Sequence, residues 1–193
     1  VILGEGLTSR KNCRSDTGKS ELEELKEDAR RAAHEVGYSS VDFCDLPDNR
    51  FDGIMLLDII KQISHYVEKY EPDTVFTHHH GDLNIDHRRT CEAVLTACRP
   101  VGDYCVKRIY AFETPSSTEW NLTYENPFTP NIYFDVTNTL EAKIRGMACY
   151  HSESTVYPHP RSPEALRALA SYRGSNVGME QAEGFILLRE AVY

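Results

Sequence analysis

The sequence of 193 residues lacks three features that would place it in common classes of protein. It has no run of about 18 apolar residues, which a membrane-spanning helix needs. It has no basic excess, because 30 Asp and Glu residues stand against 21 Lys and Arg residues, for a net charge of -9. This balance argues against a nucleic acid or an anionic membrane surface as the main partner. No internal repeat or low-complexity segment is visible, which argues against a repeat architecture.

Closely spaced cysteines are also missing. There is no Cys-x-x-Cys pair and no dense spacing of the kind that a disulfide framework has. We therefore predict reduced thiols in a cytoplasmic protein, with the cysteines serving as small buried apolar residues. They are scattered at Cys13, Cys44, Cys91, Cys98, Cys105 and Cys149.

The sequence does contain a regular alternation of strand and helix patterns. Strands are predicted at residues 1–3, 41–46, 74–77, 106–112 and 131–136, with a last apolar run at 185–188. Helices are predicted at 20–37, 53–70, 86–98, 138–150 and 163–174. The length fits a single domain covering residues 1–193. The alternation predicts an α/β fold with a mostly parallel sheet and crossover helices.

Three local patterns make sharper predictions. Ser20 and Glu23 have the spacing of a capping box at the start of the first helix. Helical spacing places Leu57 on the inward face of the second helix. The short apolar strand 74–77 is expected to be covered on both faces, as in a parallel sheet.

The densest group of chemically active side chains lies in residues 77–89, which read THHHGDLNIDHRR and are called here the histidine segment. It follows directly on a predicted strand, and open α/β sheets bind ligands at the carboxyl ends of their strands. Alternation at a strand end would aim His78 and His80 to one side and His79 to the other. Asp86 is placed to orient His87 or to act as its proton partner. A catalytic zinc site needs three protein ligands, and this segment can supply one or two.

The order of motifs resembles a known family. Asp82–Arg88, at the end of an apolar strand, resembles the second signature of the PIG-L/LmbE-like zinc deacetylases, which remove N-acetyl groups from glucosamine-type sugars. The Gly4-Glu5 turn followed by Arg10 resembles the loop after that family's second strand. Residues 135–152 resemble its late strand and helix, and Ala182-Glu183-Gly184-Phe185 resembles its carboxyl-terminal motif. These matches span nearly the whole chain in the same order.

The resemblance implies a Rossmann-like three-layer α/β sandwich, one zinc ion and an N-acetylated sugar or glycoconjugate as substrate. It makes His87 a zinc ligand and places Asp86 and Asn84 at catalytic positions. Asn84 stands where many relatives have a second histidine. Arg10 matches the arginine expected to hold the substrate's sugar or its attached group, and Asp82 is assigned with it to substrate binding.

Two further residues are candidates for substrate binding. His159 and Arg161 lie in a loop stiffened by Pro158 and Pro160, which makes them suited to a polar shell around the substrate. The segment 115–130, called here the 115–130 loop, is either functional, as loops of this length often are, or a surface excursion packed by its own aromatic residues.

One motif of the family does not occur in this sequence. His-Pro-Asp-Asp, which in relatives supplies the other two zinc ligands and the general base, is absent, and the only His-Pro is His159-Pro160, followed by Arg161. Because the chain begins where the family's second strand should be, we expect a first strand, its loop and a first helix of about 35 to 40 residues upstream of Val1. The alternative is a truncated protein that cannot assemble the site.

The residues leave three functions open. The first is a zinc-dependent N-deacetylase. The second is a non-catalytic sugar- or nucleotide-binding α/β module, which would bind its ligand regardless of chelators. The third is a metal-dependent phosphoesterase, which would release phosphate. The acceptor to which the acetylated sugar is attached stays open, as does assembly into a homo-oligomer.

Overall fold

The structure is a computed structural model, and it describes residues 1–10, 18–102, 104–122 and 125–192, with the backbone alone at Arg10. The described residues form six strands and five α-helices. The strands are β1 (Ile2–Gly4), β2 (Phe43–Leu46), β3 (Thr74–His78), β4 (Arg108–Phe112), β5 (Ile132–Asp135) and β6 (Ala182–Glu190). The helices are α1 (Lys19–Val36), α2 (Leu56–Tyr70), α3 (Ile85–Ala97), α4 (Leu140–Ala148) and α5 (Pro163–Ser175).

The strands form two sheets. β1 and β2 pair in parallel, and the other four strands have the order β3-β4-β6-β5. β3 and β4 are parallel, from Thr74 opposite Arg108 to His78 opposite Phe112. β6 runs antiparallel to β4. The α/β prediction is confirmed, but the sheet is mixed, because β6 enters it from the opposite direction.

The chain divides into two compact units. The first comprises Val1–Asp48 and Tyr133–Glu183, and the second comprises Asn49–Ile132 and Gly184–Tyr193. In the first unit α1 packs on α4, and Gly146 of α4 permits the approach, since a Cβ there would lie 3.1 Å from Cγ1 of Val36. Its apolar cluster consists of Leu140, Ile144, Leu166 and Ala170. The description of 1–193 as a single domain stays a prediction.

The second unit is built from α2, α3 and the pair β3-β4. α2 packs on α3, and α3 packs on β3. Cys91 and Cys98 are buried free thiols in this unit, and burial raises the pKa of Cys91 to about 11. For these two cysteines the predicted role as buried apolar residues is confirmed, whereas Cys13 lies outside the described residues.

Helix α1 begins earlier than predicted. Its N-cap is Gly18, and the Glu21 carboxylate accepts the Gly18 N–H at 3.3 Å. The prediction of a capping box at Ser20 and Glu23 is therefore wrong. Glycine is also accepted at the N-cap position, and the acidic residue three positions after Gly18 is Glu21. The predicted end at Gly37 is confirmed, where the backbone is left-handed with φ 81°.

Helix α2 begins later than predicted, at Leu56. A 3-10 turn at Phe51–Gly53 and an extended Ile54 precede it and change the phase of the helix. As a result the buried residues are Ile59 and Ile63, and Leu57 is 52% exposed. The prediction that Leu57 faces inward is therefore wrong.

Strand β3 is covered less than predicted. Within the described ranges its only neighbour in the sheet is β4. Phe76 is 50% exposed, and its ring stacks on Tyr110 and makes an edge-on contact with Phe185. Among the residues described, no helix is both long enough and apolar enough to cross a membrane.

Candidate functional site

The histidine segment connects the carboxyl end of β3 to the amino end of α3, as predicted. Asn84 is the N-cap of α3, and its side chain accepts the Asp86 N–H at 2.8 Å. This places His87 in the first turn of α3. The Asp82 N–H donates to the His79 carbonyl at 3.2 Å, which closes a turn in the middle of the segment.

His87 and Asp82 form the central contact of the site. Nδ1 of His87 lies 3.1 Å from Oδ1 of Asp82. Nδ1 of His87 is buried, and its contact with Oδ1 does not have the geometry of a hydrogen bond. The side chain of Asp82 is 0% exposed, whereas that of His87 is 18% exposed.

Asp82 is surrounded by donors. Its Oδ1 accepts the Asn84 N–H at 2.9 Å and the Ser117 hydroxyl, and its Oδ2 accepts the Thr118 hydroxyl at 2.6 Å. Burial acts to raise the pKa of Asp82, but His87, Ser117 and Thr118 outweigh it and hold the pKa well below its usual range. The carboxylate is therefore ionised. The side chain is fully buried, and its predicted role in substrate binding stays a prediction.

His78 lies against His87. The two imidazole rings are stacked, with centroids 3.9 Å apart and planes 2° from parallel. Burial lowers the pKa of His78 to about 3, with a smaller contribution from the nearby His87. This ring is therefore neutral. Its Nδ1 lies 3.4 Å from Oγ1 of Thr114, at the start of the segment after β4.

The other two histidines point elsewhere. His79 is buried, and its Nε2 lies 2.9 Å from the Asn126 carbonyl oxygen of the 115–130 loop. The His80 ring is exposed and packs edge-on against His79, with centroids 4.7 Å apart. His78 and His79 diverge as predicted. The prediction that His80 shares the side of His78 is wrong, because β3 ends at His78 and alternation ends with it.

Asp86 is buried and holds a neighbouring loop. Its carboxylate accepts the N–H groups of Asn49 at 2.6 Å and Phe51 at 2.9 Å. The carboxylate that contacts His87 is thus Asp82 rather than Asp86. Asp86 points to the loop before α2 because backbone donors there satisfy its charge. A direct chemical role for Asp86 stays a prediction.

The remaining predicted residues belong to the first unit. Arg10 ends a 3-10 turn at Thr8–Arg10, and its side chain lies outside the description. The buried Glu5 carboxylate holds this turn by accepting the N–H groups of Leu7 and Thr8 and the Thr8 hydroxyl. His159 Nδ1 accepts the Arg161 N–H at 3.2 Å, and the Arg161 guanidinium pairs with Glu153.

Sequence reasoning missed the residues that support Asp82 and His87 from outside the histidine segment. Thr114, Ser117 and Thr118 follow the carboxyl end of β4, which is the neighbour of β3. A run of hydroxyl side chains at the end of the adjacent strand was the available signal. The described part of the 115–130 loop therefore contributes to the site.

His87 has the surroundings expected of one metal ligand. With Nδ1 facing a carboxylate, Nε2 is the nitrogen left for a metal ion, an arrangement common at protein metal sites. However, the residues that the structure describes include no group of three or more His, Cys, Asp or Glu side chains that could hold a metal ion. The described chain thus supplies one supported imidazole and not a complete set of ligands.

Comparison with known proteins identifies related sequences and folds. The family model PIG-L, described as GlcNAc-PI de-N-acetylase, matches residues 1–98. A conserved protein from Thermus thermophilus has a similar structure at 18% identity, with a TM-score of 0.70 over 93% of this chain and 78% of that chain.

Two similar structures carry a stated activity. The N,N'-diacetylchitobiose deacetylase of Pyrococcus horikoshii matches at 17% identity with a TM-score of 0.72, over 97% of this chain and 71% of that chain. The 4-carboxy-2-hydroxymuconate hydratase of Pseudomonas putida matches at 19% identity with a TM-score of 0.70, over 97% and 81%. At these identities the likeness concerns the fold, and it confirms the predicted α/β sandwich.

Proposed function

The chain belongs to the PIG-L family, and from this premise we propose that it is a zinc-dependent deacetylase of an N-acetylglucosamine-type sugar or sugar conjugate. The family places it among deacetylase-type hydrolases. The observation that carries the finer proposal is the pairing of His87 with the buried, ionised Asp82 at the carboxyl end of β3.

His87 is the zinc ligand in this proposal. Asp82 faces Nδ1, which favours a proton on that nitrogen and leaves Nε2 to bind the metal. A bound zinc ion at such a site would supply polarisation of the amide carbonyl and activation of water. The further ligands would be those of a His-Pro-Asp-Asp segment, a motif that residues 1–193 do not contain.

Asn84 would act as a hydrogen-bond donor. A carboxamide does not titrate, so Asn84 does not shuttle protons as a histidine can at this position. Its side-chain oxygen already caps α3 by accepting the Asp86 N–H. We assign its Nδ2 to the oxygen of the acetyl group, where negative charge develops during hydrolysis.

The main role of Asp86 in this proposal is to stabilise the backbone around the site. By accepting the N–H groups of Asn49 and Phe51 it ties the loop before α2 to the first turn of α3, which carries His87. Arg10, His159 and Arg161 are the proposed contacts with the sugar, because guanidinium and imidazole groups donate hydrogen bonds to its oxygens.

Acetate release tests the proposal. The full-length gene product, loaded with zinc, should release acetate from N-acetylglucosamine, N,N'-diacetylchitobiose or a lipid-linked or nucleotide-linked N-acetylglucosamine. His87→Ala should abolish the release, and His65→Ala, at an exposed position of α2, should leave it unchanged. The same incubations should be analysed for phosphate and for hydration of an unsaturated carboxylic acid.

Each result separates the hypotheses. Acetate release that is unaffected by His87→Ala would remove the assignment of the site. Phosphate release would favour a phosphoesterase, and hydration would favour the reaction named for the similar structure from Pseudomonas putida. Chelator-insensitive ligand binding without turnover would favour a binding module.

A further inference from the structure

Two neighbouring hydroxyl groups from the 115–130 loop converge on one carboxylate of the histidine segment. Ser117 and Thr118 are each 8% exposed, and both donate to the fully buried Asp82. They lie 35 and 36 positions from Asp82 in sequence. They reach it because β3 and β4 pair in register up to His78 and Phe112.

The direction of the Thr118 hydrogen bond follows from its partners. Thr118 Oγ1 accepts the Thr114 N–H at 2.7 Å. Its own proton is directed to Oδ2 of Asp82, 2.6 Å away, since an ionised carboxylate only accepts. The Ser117 hydroxyl donates in the same way to Oδ1.

These contacts fix both oxygens of the Asp82 carboxylate. Oδ2 is held by Thr118, and Oδ1 is held by Ser117 and by the Asn84 N–H. The same Oδ1 is the atom 3.1 Å from Nδ1 of His87. A rotation of Asp82 that moved Oδ1 away from His87 would break three hydrogen bonds in a buried place, where each lost partner is costly.

We propose that Ser117 and Thr118 are positioning residues that act through Asp82 to hold the His87 imidazole as its Nδ1–H tautomer and leave Nε2 bare for a metal ion. The identity of the ligand bound by Nε2 rests on the proposed function. The tautomer itself is a property of the metal-free protein, so it can be measured independently of activity.

Other hydrogen bonds also hold the 115–130 loop, so the role of the two hydroxyl groups can be tested by removing them. The Glu119 carboxylate accepts the N–H groups of Ser116 at 2.6 Å and Ser117 at 3.2 Å. The Asn121 side chain donates to the Gly81 carbonyl. Removing one hydroxyl therefore leaves several contacts that keep the loop in place.

The test compares Thr118→Val, which keeps the shape of the side chain, with Thr118→Ser, which keeps the hydroxyl. Ser117→Ala and the double variant extend the series. Thr96→Val is the matched control, since the Thr96 hydroxyl donates to a backbone carbonyl on the exposed face of α3. The ring ¹⁵N shifts of His87 are recorded in full-length, metal-stripped protein at a pH about two units above the ordinary histidine pKa of about 6.5. His87→Ala assigns the signals.

The wild type, Thr118→Ser and Thr96→Val should show a protonated Nδ1 and a bare Nε2. Thr118→Val and the double variant should move both shifts towards a mixture of the tautomers. Their Kd for Zn²⁺, measured by chelator competition, should rise by less than the roughly 10- to 100-fold that loss of a direct partner of a metal ligand costs, and more in the double variant than in the single one.

The opposite results would overturn the proposal. These are a wild-type His87 that carries its proton on Nε2, or ring shifts unchanged in a folded Thr118→Val and double variant. Loss of the Nδ1–H tautomer in Thr118→Ser as well as in Thr118→Val would also overturn it. If the tautomer responds as expected but the wild type neither binds zinc nor releases acetate, the positioning role stands and the proposed function fails.

Discussion

His78 and His87 lie face to face, with ring centroids 3.9 Å apart and planes 2° from parallel. The ring of His78 also packs against Phe112, 4.7 Å between centroids, so it fills the space between β4 and the first turn of α3. One histidine at the end of a strand thus supports another at the start of the next helix. The contact is a packing contact, because His78 is neutral.

Replacing His78 should reveal this packing. His78→Ala removes a ring between two aromatic neighbours and should lower the free energy of unfolding by about 1–3 kcal/mol. His78→Phe keeps a flat ring and should cost much less. Urea unfolding measures both, with His80→Ala, at an exposed ring, as the control. Equal losses for His78→Ala and His80→Ala would contradict the packing role.

Asp82→Asn should be strongly destabilising. The amide brings an NH₂ group into a place where Ser117, Thr118 and the Asn84 N–H all donate. At least one buried donor then loses its acceptor, at a cost of about 1–3 kcal/mol. The decrease appears in the free energy of unfolding, measured with urea. Asp52→Asn, at an exposed position, is the matched control and should change stability by less than about 0.5 kcal/mol. Similar values for both variants would show that the carboxylate is not needed.

Gly81→Ala should displace the 115–130 loop. A Cβ at Gly81 would clash with the Asn126 carbonyl oxygen and lie 2.6 Å from Nε2 of His79. We expect a loss of about 1–3 kcal/mol and a changed emission of Trp120, the only tryptophan of the chain. Gly53→Ala, where a Cβ would meet nothing within 4 Å, should alter neither. An unchanged emission spectrum and stability in Gly81→Ala would contradict the close approach.

The ionised Glu5 carboxylate should stabilise the folded protein, and this contribution should be lost in acid. Burial acts to raise its pKa, but the hydrogen bonds from Thr8, Leu7 and Asp48 outweigh it and lower the pKa below 4.5. The folded state therefore binds a proton less readily than the unfolded state. The contribution is present above a pH of about 4.5 and is lost as pH falls through the lower pKa of the folded protein.

Comparison with Glu5→Gln isolates that contribution. The variant should be less stable than the wild type at neutral pH, and the difference should shrink as the pH falls below about 4.5. Urea midpoints across this range measure it, and Glu24→Gln, at an exposed position of α1, is the control. A difference that is constant with pH would contradict the role of the Glu5 charge.

Part of the candidate site could be predicted because it depends on short stretches of chain. The apolar run at 74–77 followed by a polar segment locates the end of β3, and the start of α3 places His87 in its first turn. The partners of these residues were predicted less well. Asp86 is adjacent to His87 in sequence, yet the first turn of the helix directs its carboxylate to Asn49 and Phe51.

The sequence by itself determined the features set by neighbouring residues. Gly37 ends α1 because glycine adopts the left-handed conformation without strain, and Pro163 begins α5 because its fixed φ suits the first helical position. The tertiary structure alone decided what surrounds His87. Ser117 and Thr118 meet Asp82 only when β3 and β4 pair in register, and that pairing depends on hydrogen bonds between distant segments. The run of hydroxyl side chains after β4 does not identify its partner by itself, because that partner is set only when the sheet brings the two strands together.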